Sequence, residues 1–378
     1  MVTRVIEIEG RDPLLFRDGR PFATEPGALT ARTLPLPYPG TLAGFVRTCV
    51  GNELGWDWEG DGPERALAIR VAGPILASRE APGAEASLLF PAPADAVIYA
   101  EDDRRQVMPL RPWAALPTPA GIYPPLATPP LRITRDVKPA GGYGYWPAVH
   151  LWEWLANPTG AGQTVWRDEG APPREERVHV KVADDTYASE RGMLFTTEGV
   201  AFGWRWSMLA RVEGEVLLEL RSVAPMGGER RLARVAPAAD DRWPRCPDSL
   251  RTALAGSRHV RMVLATPALF RAGWQPGWLD ADGCGAPPGV AGVTLRLVAA
   301  AVKRREAVSG WDLRRGRPGP KPVRWLAPAG SVYFFEVRSG SATTLAEHAW
   351  LQPVSDEPSD RNDGYGLALW GIWSYEEG

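Results

Sequence analysis

Read along the chain, the elements run strand, helix, two strands, helix, strand, and a fainter second pass follows. That order predicts an α+β fold of two ferredoxin-like (RRM-like) domains with long loop and hairpin insertions. A length of 378 residues supports two domains, at a prior of about 150 residues each. Glycine and proline make up about a fifth of the sequence, so short elements are joined by many loops. The division is placed at 1–213 and 214–378.

The first strand is Val2 to Glu9, where residues alternate with the two-residue period of a pleated strand. Asp18-Gly19-Arg20-Pro21 then signals a turn. Thr41 to Leu54 reads as a helix, with Leu42, Phe45, Val46, Cys49 and Val50 as its apolar face and Gly55 at its end. Ile69–Ala77 and Ala96–Ala100 read as strands, and Val149–Leu155 as a helix stopped before Asn157-Pro158. Between them, 109–147 carries ten prolines and ends in Gly141-Gly142-Tyr143-Gly144-Tyr145-Trp146, an aromatic tail expected to contact a partner. The clean alternation of Val178-His179-Val180-Lys181-Val182, followed by Met193–Phe195 and Val200–Phe202, predicts a hairpin over 177–202. Trp206–Val212 is read as the closing strand of the first domain. In the second domain Val216–Leu220 and Arg231–Val235 form a hairpin around Gly227-Gly228, and Ser249–Leu254 and Thr343–Trp350 are helices. Val260–Ala265, Val293–Lys303 and Val332–Val337 are its further strands.

Hydrophobic residues are 44% of the chain, enough for packed cores, and no stretch reaches the roughly 20 apolar residues of a membrane span. The charged start is not a signal peptide, so a cytoplasmic protein is expected. Cys49, Cys246 and Cys284 are scattered and odd in number, which excludes a disulfide framework and fits structural thiols. Four histidines without ligand spacing give no metal site, and no cofactor motif is present. A net charge of −2 excludes nucleic-acid binding through bulk positive charge, so any RNA must meet local basic groups.

Four segments are candidates. Asp363-Gly364-Tyr365-Gly366 precedes an apolar run at the end of the chain, and its glycines suit a loop whose amides face an anion; the alternative is a turn before a terminal strand. In the loop 303–325, Lys303, Arg304, Arg305, Arg314, Arg315, Lys321 and Arg324 interleave with Trp311 and Trp325, the mix of charge and stacking surface used for single-stranded RNA, or a solvated loop. Arg17 and Arg20 in the front segment bind RNA or close a salt-bridged turn. Arg177, His179 and Lys181 on the hairpin contact an RNA or a neighbouring subunit, or else His179 acts as the base of a ribonuclease. No hydrolase or nucleotide-phosphate motif appears.

Several segments together resemble the third Cmr subunit family of the RAMP superfamily, from type III-B CRISPR effectors. They are Asp12 to Phe22, the hairpin from Arg177 to Phe202 with Gly192-Met193-Leu194-Phe195, Gly227-Gly228-Glu229, Pro328 to Glu336, and the terminal glycine loop over 363–373. The resemblance implies two ferredoxin-like domains and a non-catalytic, RNA-binding subunit. It implies that the chain holds the 5′ repeat-derived tag of the guide RNA and bridges the large polymerase-like subunit to the first backbone RAMP subunit. Two other readings stay open: a RAMP endoribonuclease that processes guide RNA through His179, and a scaffold that touches protein only.

Overall fold

The computed structural model describes residues 2–18, 30–101, 104–112, 131–132, 135–157, 159, 171–214, 220–312 and 319–375. The chain forms two compact units, each assembled from separated segments. The first comprises Met1–Ala86, Gly170–Trp243 and Ala307–Arg324, and the second Ser87–Glu169, Pro244–Glu306 and Trp325–Gly378.

In the first unit the strand Val2–Gly10 pairs antiparallel with both Trp206–Gly214 and Leu232–Ala238, and Arg70–Ser78 pairs with the outer side of Trp206–Gly214. Taken in chain order, these four strands lie 4-1-3-2 across the sheet, which is the ferredoxin-like arrangement. Helix Pro39–Glu53 starts on a proline, whose missing amide costs nothing at a helix start, and buries Leu42, Phe45, Val46, Cys49 and Val50. It packs on Arg70–Ser78. Buried Arg47 ties helix to strand, its Nε and Nη2 donating to the Ile69 carbonyl at 3.1 and 2.8 Å. The second crossover has no helix among the described residues. Instead Ser222–Pro225 adds a strand outside Leu232–Ala238.

The second unit repeats the arrangement: Leu367–Ile372, His259–Leu264, Val332–Gly340 and Val293–Ala301 also lie 4-1-3-2. Short strands Cys284–Gly285 and Gln352–Pro353 cap its two edges, and short edges resist pairing with other chains. Helices Asp248–Ala255 and Thr343–His348 pack together, and Ala148–Ala156 packs on Leu367–Ile372. Under that helix lies a buried ion pair. Arg261 on the central strand reaches Asp95 Oδ2 at 2.6 Å, and Asp95 also accepts Trp154 Nε1 at 3.0 Å. Removing one member of such a pair leaves an uncompensated charge and costs about 3–5 kcal/mol.

Three expectations need correction. The division at residue 213 does not separate the units: Leu232–Ala238 completes the first sheet, while loop 109–147 and the helix after it belong to the second unit. Trp206–Gly214 is accordingly the third of four strands and not the closing one; a reading in sequence order mistakes an insertion for the end of a domain. The aromatic tail of the proline-rich loop is not a partner surface. Trp146 is 1% exposed and packs edge-on against Trp154 at 5.8 Å. Residues 113–130 of that loop lie outside the described residues. The three cysteines are free, and burial pushes the Cys49 and Cys246 thiols to about 11, so both stay protonated at neutral pH.

Candidate nucleic-acid interface

The long hairpin Arg174–Val182 with Ser189–Val200 belongs to the first unit. Its base is fixed by the front segment: Leu14 and Val200 exchange amide hydrogen bonds at 2.9 and 2.7 Å. Thr30–Ala31 pairs parallel with Thr196–Thr197. The Gly227-Gly228 turn joins the same place, the Gly228 amide donating to Leu15 O at 2.8 Å. Gly227 has φ 78°, and a Cβ there would meet Leu15 O at 2.4 Å, so only glycine permits this approach. Three segments that are far apart in sequence are thus one structural element. Glu229 and Arg230 follow with φ of 58° and 50°, a left-handed pair that non-glycine residues rarely adopt.

Beyond the base, the hairpin has two unlike faces. On one, Glu175, Arg177, His179 and Lys181 alternate along the strand. The Arg177 Nε donates to Glu175 Oε1 at 2.5 Å, so this cation is partly neutralised. His179 Nε2 lies 2.9 Å from Thr197 Oγ1, and its ring stacks on Phe195 with centroids 5.1 Å apart. The opposite face carries Val178, Val180, Val182 and Leu194, which are 66%, 45%, 47% and 57% exposed. At the tip, Tyr187 is 85% exposed with φ 53°. Sequence reasoning missed Tyr187; the turn Ala183-Asp184-Asp185-Thr186 before it was its only signal.

The other candidates fare unevenly. Arg17 is exposed and forms a backbone bridge to Thr33; Arg20, Arg314 and Arg315 lie outside the described residues. Lys321 and Arg324 are exposed in the first unit. In the second unit, Lys303 Nζ is spent on the Ala92 carbonyl at 2.9 Å, whereas Arg304 is exposed. Arg305 lies over the Trp325 ring at 4.1 Å, an arginine–indole stack with half the indole in solvent. Such a stack offers both a phosphate-binding cation and a base platform.

The terminal glycine loop is corrected. Gly364, Tyr365 and Gly366 are buried, and their amides donate to Arg361 O, Asp360 O and Pro267 O at 3.1, 3.0 and 2.8 Å. No amide is left to face an anion. The glycines instead supply φ of 90° and 82°, and Gly366 lets the chain pass within reach of Ser355 and Ala268.

Among the described residues, no group of three or more His, Cys, Asp or Glu is placed to hold a metal, and no helix is long and apolar enough to cross a membrane. Residues 6–373 match the profile of CRISPR-associated protein (Cas_Cmr3). The chain belongs to the Cas_Cmr3 family. Cas_Cmr3 membership makes it a Cmr subunit of a type III-B CRISPR system. Among solved structures, it is similar to a chain in the cryo-EM structure of the Type III-B Cmr-beta bound to cognate target RNA and AMPPnP. The identity there is 13%, over 88% of this chain and 86% of the other, with a TM-score of 0.49. A chain in the Csm3-Csm4 subcomplex of the type III-A CRISPR-Cas interference complex aligns at 7% identity over 89% and 94%, with a TM-score of 0.34. No curated protein matches the sequence.

Proposed function

We propose that this Cas_Cmr3 chain is a non-catalytic, cytoplasmic subunit that grips the 5′ repeat-derived tag of the guide RNA. In the same reading it bridges the large subunit to the first backbone subunit of a type III-B ribonucleoprotein. The observation that carries this is the two-faced hairpin. Its His179–Phe195 stack and Lys181 suit an extended RNA, and its valine face suits a neighbouring subunit. The Arg305–Trp325 stack gives the second unit a contact of the same kind.

A non-catalytic role is favoured by how His179 is held. A cleaving base needs a cation beside the scissile phosphate. Here the neighbouring Arg177 is bonded to Glu175 and the imidazole to Thr197.

Ultraviolet crosslinking of the assembled complex to tag-labelled guide RNA tests the reading. Crosslinks are expected on peptides from 174–200 and on 303–305 or 325. Their absence, with the RNA otherwise retained, would leave a protein-only scaffold. Incubation of the purified chain with repeat RNA is expected to leave it uncut, and specific cleavage would favour the endoribonuclease instead.

A further inference from the structure

A row of side chains crosses the sheet of the second unit, centred on residues given no role above. Strand register sets His259 opposite Glu336 and Glu336 opposite Arg296, so three adjacent strands present them on one face. Arg338 lies two residues further on the same face as Glu336. From the fourth strand the chain continues to Trp373 and Tyr375, whose rings sit 4.7 and 5.2 Å from the His259 ring.

Among the described residues, the charges in this row do not balance. The Glu336 carboxylate takes Tyr375 Oη at 2.9 Å, Arg296 Nη2 at 2.9 Å and Arg338 Nη2 at 3.6 Å. Among the described residues, two guanidiniums thus share the Glu336 carboxylate. Burial lowers the His259 pKa against an opposing pull from Glu336, so the imidazole stays neutral at pH 7 and adds no positive charge of its own. Arg296 Nε is buried with no acceptor among the described residues. A buried N–H without a partner costs about 1–3 kcal/mol, so the cluster is short of acceptor oxygens. Yet the Arg296 and Arg338 side chains are 39% and 49% exposed, within reach of a ligand from solvent.

We infer that this row binds one nucleotide of single-stranded RNA, its phosphate held by Arg296 and Arg338 and its base laid against the His259 and Tyr375 rings. A phosphate supplies the missing acceptors and suits the guanidinium fork. The rings supply the stacking wall by which unpaired bases are recognised. The inference rests on the RNA-binding reading and adds a site to it.

The test uses the full chain, alone and in the assembled complex, with a short single-stranded RNA carrying 4-thiouridine. Loss of two charge-assisted contacts in the Arg296→Ala/Arg338→Ala variant should weaken RNA binding by about ten-fold or more. The slope of log affinity against log salt should become shallower by about 0.7, the share of one phosphate contact on a single strand. Crosslinks to the peptide containing Tyr375 should fall in parallel and should survive Tyr375→Phe. If the double variant does not fold, Arg338→Ala, on a half-exposed side chain, is expected to show the same direction at about half the slope change. Unchanged affinity and slope in a folded variant would overturn the inference, and so would loss of complex assembly without loss of RNA crosslinks. Arg304→Ala/Arg305→Ala serves as the reference. If that variant loses RNA and the Arg296/Arg338 variant does not, only this site fails; if RNA binds neither the wild-type chain nor its complex, the broader reading fails with it.

Discussion

The terminal glycine loop and the long hairpin are both tight backbone features, and they sit in opposite environments. Gly364 to Gly366 is buried with its amides consumed inside the fold. The hairpin Arg174–Val200 exposes side chains on both faces beyond its anchored base. The difference teaches where each region's chemistry is directed. A loop whose donors are all used can only hold its own unit together, whereas a ribbon with exposed valines on one side and ring and cation on the other has surface left for partners.

The largest expected effect comes from the loop. In Gly366→Val the new Cβ would lie 2.8 Å from Ser355 Oγ and 3.2 Å from Ala268 Cβ, at φ 82°. Steric clash and a left-handed valine together should destabilise by about 2–4 kcal/mol. Chemical denaturation measures this, and loss of guide RNA from pulled-down complexes should follow unfolding and not precede it. A variant that melts like wild type while shedding RNA would restore the loop as an RNA contact and break the comparison.

The hairpin should behave in the reverse way. Val178→Asp combined with Val180→Asp changes two exposed positions, so stability should shift by no more than about 0.5 kcal/mol per site. Co-purification with neighbouring subunits should nevertheless fall sharply, because charges are placed where an apolar contact is proposed. Normal assembly of the double variant would show that the valine face has no partner.

Much of the local structure was legible. Alternation over Val178–Val182 marks a strand observed as Arg174–Val182, and the apolar face from Leu42 to Val50 marks the helix Pro39–Glu53. These signals depend on neighbours in sequence. What was not legible depends on register between distant strands. Nothing local says that Leu232–Ala238 joins Val2–Gly10, or that Leu14, Val200 and Gly228 meet at the base of the hairpin. Nor does it say that His259, Arg296, Glu336 and Tyr375 form one cluster. The glycine loop misled for a related reason. Positive φ and close approach are readable from glycine, but whether the close neighbour is a phosphate or Ser355 is not.

A smaller effect separates the contact and ribonuclease readings of the hairpin. His179→Ala removes a ring that stacks on Phe195 at the surface, so folding should be nearly unaffected. Guide-RNA ends in cells should be unchanged, while crosslinking of the tag to the hairpin should drop. Accumulation of precursor RNA in an otherwise intact complex would sink the contact reading.

The smallest effect comes from the histidine of the second sheet. His179 packs on the hairpin surface, whereas His259 is wedged against Trp373 and Tyr375 and its pKa is lowered from 6.5, mainly by burial and against the pull of Glu336. A lowered folded-state value means the unfolded chain takes up this proton first as pH falls. His259 therefore contributes stability that is present above about pH 6.5 and is lost as pH drops through its folded value. His259→Gln should flatten the fall in stability from pH 7 to pH 5. Denaturant midpoints measured across that range check it, and a His259→Gln variant whose stability falls as steeply as wild type would sink it.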